Sequence, residues 1–80
     1  MIKRKFNSEK LKTLLAANNL TCDLFSKELY VKYKSRLSVQ QIYNYLKDKS
    51  NPSAFVVQAF AKFFNVPFDS FFIEEEKIKN

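Results

Sequence analysis

The 80-residue chain predicts an all-α fold of five short helices around one small core. Three observations carry that expectation. Apolar residues recur at three and four rather than at two, the period of an amphipathic helix and not of a half-buried strand. Ser8, Thr21, Ser38 and Ser53 each precede such a stretch, and their side-chain oxygens can accept from the unpaired N–H groups of a first helical turn. The length fits a single domain over 1–80, in which only about 60% of the unfolded surface is buried on folding.

Residues 1–6 read as a basic N-terminal arm. Ser8 then caps a first helix to about Asn18, with Leu11, Leu14 and Leu15 on one face. Asn18-Asn19 ends it, since Asn tolerates the left-handed conformation. Thr21 caps a second helix, with Asp23 in its first turn, where the macrodipole favours a carboxylate. Cys22, Phe25 and Leu29 form its inward face, extending towards Tyr33. Lys32 to Arg36 is its end plus a basic loop. Ser38 and Gln41 fit a capping box, which opens a third helix with Ile42, Tyr45 and Leu46 inward. Asn51-Pro52-Ser53 is a turn, because proline biases the preceding residue away from helix. Ser53 caps a fourth helix with an apolar stripe of Val56, Ala59, Phe60 and Phe63, ended by Asn65 to Pro67. A fifth, over Asp69 to Glu76, carries Phe71, Phe72 and Ile73, and 77–80 is a fraying tail.

Composition excludes several functions. The chain has no His, no Trp, no Gly and one Cys. A zinc site needs several Cys or His ligands, His-based general-base catalysis has no residue to use, and phosphate-cradling loops need Gly. No disulfide framework is possible. Enzymatic activity, a metal and a cofactor are therefore not expected. Met1 to Phe6 has the charge of a signal-peptide n-region, but no long apolar segment follows, so a cytoplasmic location is expected. The bias to Lys, Asn, Phe, Ile and Tyr hints at an AT-rich bacterial, phage or plasmid genome.

The net charge of +6 is unevenly spread. Residues 1–51 carry eleven basic against four acidic residues, a net +7, while 52–80 carry three against four, a net −1. Seven of the nine Phe fall in the second part. One part is suited to a polyanion, the other to a core or a dimer contact.

The order of these pieces resembles the helix-turn-helix domain of the lambda-repressor and Cro-like (XRE) family over about residues 6–73. Leu11 to Thr21 is similar to that family's first helix and the opening of its second, and Phe25-Ser26 stands where the family usually has Leu-Ala. Ile42 lies ten residues before Pro52, the family's interval between the recognition-helix Ile and the Pro before helix four. Pro52-Ser53, Phe60-Ala61-Lys62, Phe63-Phe64-Asn65-Val66 and Phe71-Phe72 resemble its closing pattern, with Phe replacing Leu. There are departures. The apolar residue of the turn is best matched by Leu37, which implies about six extra residues over Tyr30 to Ser35; choosing Val31 instead would bury Arg36. Cys22 replaces the usual Gln, and Leu46 and Asp48 stand at an acidic and a Gly position.

The resemblance implies a transcriptional regulator of double-stranded DNA, a repressor of Cro-like type, whose third helix reads the major groove. It implies base-reading roles for Ser38, Val39, Gln40, Gln41 and Asn44, where Gln and Asn amides can pair with the adenine edge and Val39 with a thymine methyl. It implies backbone contacts from Thr21, from Lys32, Tyr33, Lys34 and Arg36 in the enlarged connection, from Tyr43, and from Lys47, Lys49, Ser50 and Asn51. Phe71, Phe72 and Ile73 are candidates for a homodimer surface, since paired half-sites require two modules.

Plainer roles stand beside these. Gln40 and Gln41 can be solvated helix-start residues, with Gln41 occupied by the cap. Tyr33 and Tyr43 fit either core or phosphate contact, whereas Tyr45 fits core. Cys22 reads as a small semi-buried hydrophobe. Asp23 and Glu28 read as cap and solvated acid, and Glu74 to Glu76 as an exposed run. The apolar triplet can equally fill the core. The alternative function is a protein-interaction module, an antirepressor or inhibitor, on a scaffold without DNA reading. A binder of RNA or single strands would want an exposed aromatic platform instead.

Overall fold

A computed structural model describes residues 2–76, with side chains described for 5–73. Strand β1 (Ile2–Phe6) leads into α1 (Ser8–Ala17), α2 (Cys22–Tyr33), α3 (Val39–Leu46) and α4 (Ala54–Phe64). A 3-10 turn (Phe68–Phe71) and strand β2 (Phe72–Glu76) follow. The molecule is therefore mostly helical, with four α-helices and a two-stranded sheet rather than five helices. The tail read as fraying, 77–80, lies outside the described residues.

The helix ends follow local chemistry. Thr21 Oγ1 accepts from Leu24 N–H at 3.1 Å and Ser53 Oγ from Val56 N–H at 3.4 Å, as their cap positions predict. The first cap is Asn7, not Ser8: Asn7 Oδ1 accepts from Lys10 N–H at 3.1 Å, and Ser8 is buried inside the first turn. Asn and Ser cap about equally well, so the choice falls to the tertiary structure. Phe6 is buried, and Asn7 N–H donates to the Phe71 carbonyl at 2.7 Å, which sets where the helix begins.

In a chain without Gly, every helix terminus finds another left-handed residue. Asn19, Lys34, Asp48 and Asn65 have φ of 54°, 57°, 59° and 57°. Each turn is closed by an N–H from the next residue back to the last helical turn, as with Leu20 to the Leu15 carbonyl and Ser35 to the Leu29 carbonyl. Asn and Asp tolerate this region, but Lys has no local side-chain compensation for it. Lys34→Gly is expected to raise stability by about 0.5–1 kcal/mol, the steric relief exceeding the added unfolded-state entropy. Urea denaturation measures it; an unchanged or lower midpoint would show that the left-handed backbone costs Lys34 nothing.

The chain's two ends meet. β1 and β2 are antiparallel, with Lys3 opposite Glu75, Arg4 opposite Glu74, Lys5 opposite Ile73 and Phe6 opposite Phe72. The stretch read as a basic arm is thus a strand, and the expected fifth helix is a 3-10 turn plus a strand. Phe-Phe-Ile is compatible with either state, because a short apolar run has no decisive period. Aromatic and β-branched residues favour the strand once a partner exists, and that partner comes from the other end of the chain.

Phe6, Phe25, Tyr45, Phe60 and Phe71 form an aromatic core with Leu11, Leu15, Leu29, Leu37, Ile42 and Val57. Phe6 stacks on Phe71 with centroids 6.0 Å apart, and Phe25 meets Phe60, Phe63 and Phe64 at 5.2–5.3 Å. Most of the Phe excess is therefore core. Phe71 is fully buried, which removes it from any dimer surface; Phe72 is half-buried, and Ile73 remains 43% exposed. On α4 the deepest residues are Val57, Phe60 and Ala61, while Val56, Ala59 and Phe63 are half-buried. The stripe is rotated from its expected position because α4 packs on both α2 and the 3-10 turn, and its near-continuous apolar sequence permits either setting. Tyr33, an expected extension of the α2 inner face, is 38% exposed.

Candidate nucleic-acid interface

Helix α3 has its inner face filled by Ile42 and Tyr45, with Leu46 half-buried. That burial fixes which residues look outward. Gln40, Gln41, Tyr43 and Lys47 are exposed, Val39 and Asn44 half-buried. The capping box is complete. Gln41 N–H donates to Ser38 Oγ at 3.1 Å, and Ser38 N–H donates to Gln41 Oε1 at 3.0 Å. Gln41 thus commits its amide oxygen to the helix start and keeps only its Nε2 donor. Gln40 is different: its Nε2 donates to Asn44 Oδ1 at 3.2 Å, one helical turn on. The linked amides leave the Gln40 oxygen as acceptor and the Asn44 nitrogen as donor, the complement of an adenine edge.

Two cationic groups flank this helix. After it, Lys47, Lys49, Ser50 and Asn51 are all exposed in the turn leading to α4. Before it, the connection from α2 is held by Ser26, whose hydroxyl donates to the Leu37 carbonyl, and by burial of Leu37 itself. Leu37 is thus the apolar residue of the turn, as its spacing predicted. An open groove of about 590 Å³ lies between α2 and the start of α3, lined by Ser26, Tyr30, Arg36, Leu37, Ser38 and Gln41. Arg36 reaches over the Tyr30 ring at 5.4 Å, and Lys34 Nζ lies 5.7 Å from the same centroid.

Other expected contacts are dispersed. Lys32 sits 4.0 Å from Glu28 and 4.9 Å from the Phe63 centroid, so it is directed towards α4. Tyr33 lines a second groove of about 320 Å³ with Phe55, Gln58, Ala59 and Lys62. Thr21 is exposed at the start of α2, its oxygen already accepting within the cap. Beside it, burial pushes the Cys22 thiol above its ordinary value, so it stays protonated at neutral pH and is a poor nucleophile. Burial likewise raises the Tyr45 phenol, in keeping with its core position. Among the described residues, no group of three His, Cys, Asp or Glu could hold a metal.

Three residues escaped the sequence reading. Ser26 and Tyr30 lie on α2 but act on the connection, contacts that no local spacing announces. Phe55 is 86% exposed in the first turn of α4, although its apolar surroundings read as core.

A helix anchored in the core by Phe25 and Leu29, paired with a second whose polar outer face is framed by basic turns, defines a helix-turn-helix DNA-binding domain. A helix-turn-helix family model matches residues 30–71, just over half of the chain. The protein belongs to the lambda-repressor and Cro-like (XRE-type) helix-turn-helix family, a family of DNA-binding regulatory domains. The matched span takes in the end of α2, the connection over 34–38, α3, α4 and the 3-10 turn; of the extra residues expected in that connection, Tyr30 to Tyr33 instead continue α2. No curated protein and no solved structure matches the chain. No helix among the described residues is long and apolar enough to cross a membrane.

Proposed function

We propose that this protein is a sequence-specific regulator of Cro-like type that represses transcription by reading the major groove of double-stranded DNA with α3. The observation that carries the reading is the Gln40–Asn44 pair, an exposed and a half-buried amide linked one turn apart on a helix whose opposite face is buried. Ser38, Val39 and the free Nε2 of Gln41 complete the reading set, and Lys47, Lys49, Ser50, Asn51, Lys34 and Arg36 grip phosphates on either side. Thr21 and Tyr43 contribute further backbone contacts. The protein acts in the cytoplasm of a bacterium, or for a phage or plasmid, and binds paired half-sites as a homodimer. Ile73, which stays exposed where Phe71 is buried and Phe72 half-buried, is the residue of the apolar triplet left to serve that contact.

Selection from a random duplex pool, followed by mobility shifts across a salt series, tests this reading. The expected result is a symmetric site whose affinity falls steeply with salt, by about one logarithmic unit per unit of log salt for each phosphate neutralised. Absence of salt-sensitive binding to any duplex would sink it. The exposed Phe55 would then favour the protein-interaction module, since a large bare ring on a small domain suits a protein partner better than a phosphate.

A further inference from the structure

The attraction of Lys34 and Arg36 to one ring is unusual in its arithmetic. Both are cations, and among the described residues neither has a carboxylate within ion-pair distance, whereas Lys12, Lys27 and Lys32 each do. Like charges brought together repel, and an exposed chain of this kind would ordinarily spread them. Here the backbone brings them back. Lys34 lies four residues after Tyr30, at the cap that ends α2. Its N–H donates to the Tyr30 carbonyl at 2.8 Å, and its left-handed conformation reverses the chain so that Arg36 returns to the same ring. The ring's negative face then offsets part of the repulsion. Attraction to a ring face uses none of the cations' N–H donors, and a guanidinium keeps its planar fork free for a phosphate.

We propose that Tyr30 is a positioning residue for nucleic-acid binding: its ring gathers Lys34 and Arg36 beside the start of α3 and presents them, donors unspent, to the DNA backbone. This rests on the DNA reading above and adds to it a residue and a device. The connection from α2 to α3 becomes an ordered cationic clamp, set before binding, so that fewer side-chain conformations are lost when phosphate arrives. Tyr30 is 43% exposed, so its replacement leaves the core intact.

The test uses a random-sequence duplex, because backbone grip is independent of sequence. Tyr30→Leu is expected to weaken binding about three- to tenfold, and Tyr30→Phe, which keeps the ring, to stay within about twofold of wild type. The joint Lys34→Ala and Arg36→Ala replacement is expected to cost much less affinity in the Tyr30→Leu background than in wild type. In the free protein, ring-current shifts of the Lys34 ε-methylene and Arg36 δ-methylene protons should vanish with Tyr30→Leu. Additive costs would overturn the proposal, as would a Tyr30→Phe variant that behaves like Tyr30→Leu. Should Tyr30→Leu prove unfolded by circular dichroism, Tyr30→Gln carries the same comparison. Wild type that binds duplex DNA while Tyr30→Leu binds equally well defeats this role alone; wild type without salt-sensitive binding defeats the DNA reading and this role together.

Discussion

Phe60→Ala is expected to cost about 3–5 kcal/mol and to leave much of the protein unfolded at ordinary temperature. A domain of this length has a total stability of about 4–12 kcal/mol, so one cavity consumes a large share of it. Phe60 is fully buried and its ring meets those of Phe6, Phe25, Tyr45 and Phe71 at centroid distances of 5.3–6.3 Å. It therefore joins elements from both ends of the chain, and the void left by Ala cannot be closed by one neighbour moving. Urea denaturation followed by circular dichroism measures the loss. A cost below about 1 kcal/mol would mean that the aromatic core repacks around the gap, contrary to what such substitutions show elsewhere. Phe55→Ala, on the same helix but exposed, is the matched control.

The second large effect concerns recognition. Gln40→Ala is expected to remove about 1–3 kcal/mol of discrimination between the selected site and a random duplex, while salt-dependent binding to both persists. The side chain is exposed and Ala is a better helix former, so stability should not fall. Gln41→Ala should differ in its effect on stability. Its amide oxygen closes the capping box, so removing it lowers stability by about 1 kcal/mol in addition to taking the Nε2 donor from the reading set. Competition shifts and denaturation on the two variants separate these roles. Unchanged discrimination in Gln40→Ala would remove Gln40 from the reading set.

Adjacent glutamines with distinct fates show how far the sequence could be read. The Ser38–Gln41 cap was legible because three residues of separation, with these side-chain types, suffice to specify both hydrogen bonds. The link from Gln40 to Asn44 follows from the same helical geometry, and so does the burial of Ile42 and Tyr45 on the opposite face. Leu37 was identified through the resemblance to the family's turn, in which the other register would have buried Arg36. The grouping of Lys34 and Arg36 was not legible. It depends on the direction the chain takes after a left-handed Lys34, and nothing in the residue type signals that conformation. The split of the expected backbone contacts was equally hidden: Lys32 and Tyr33, in the last turn of α2, turn to α4 while Arg36 turns to the start of α3, because α2 packs against both.

The five-helix expectation failed at one place for one reason. Phe71, Phe72 and Ile73 carry an apolar signal without a period, and their state depends on whether another strand lies beside them. That strand is the basic beginning of the chain, paired in register with the acidic end. Its presence also changes the meaning of the charge asymmetry: Lys3 and Arg4, counted with the basic part, are register partners of Glu75 and Glu74. The sequence by itself determined the caps at Thr21, Ser38 and Ser53, the four α-helices and the polar face of α3, because each depends on residues within one or two turns of one another. Only the tertiary structure decided the pairing of the chain ends, the rotation of α4 and the cations gathered at Tyr30. Those depend on which distant surfaces meet, and burial and chain direction set that after the local geometry is satisfied.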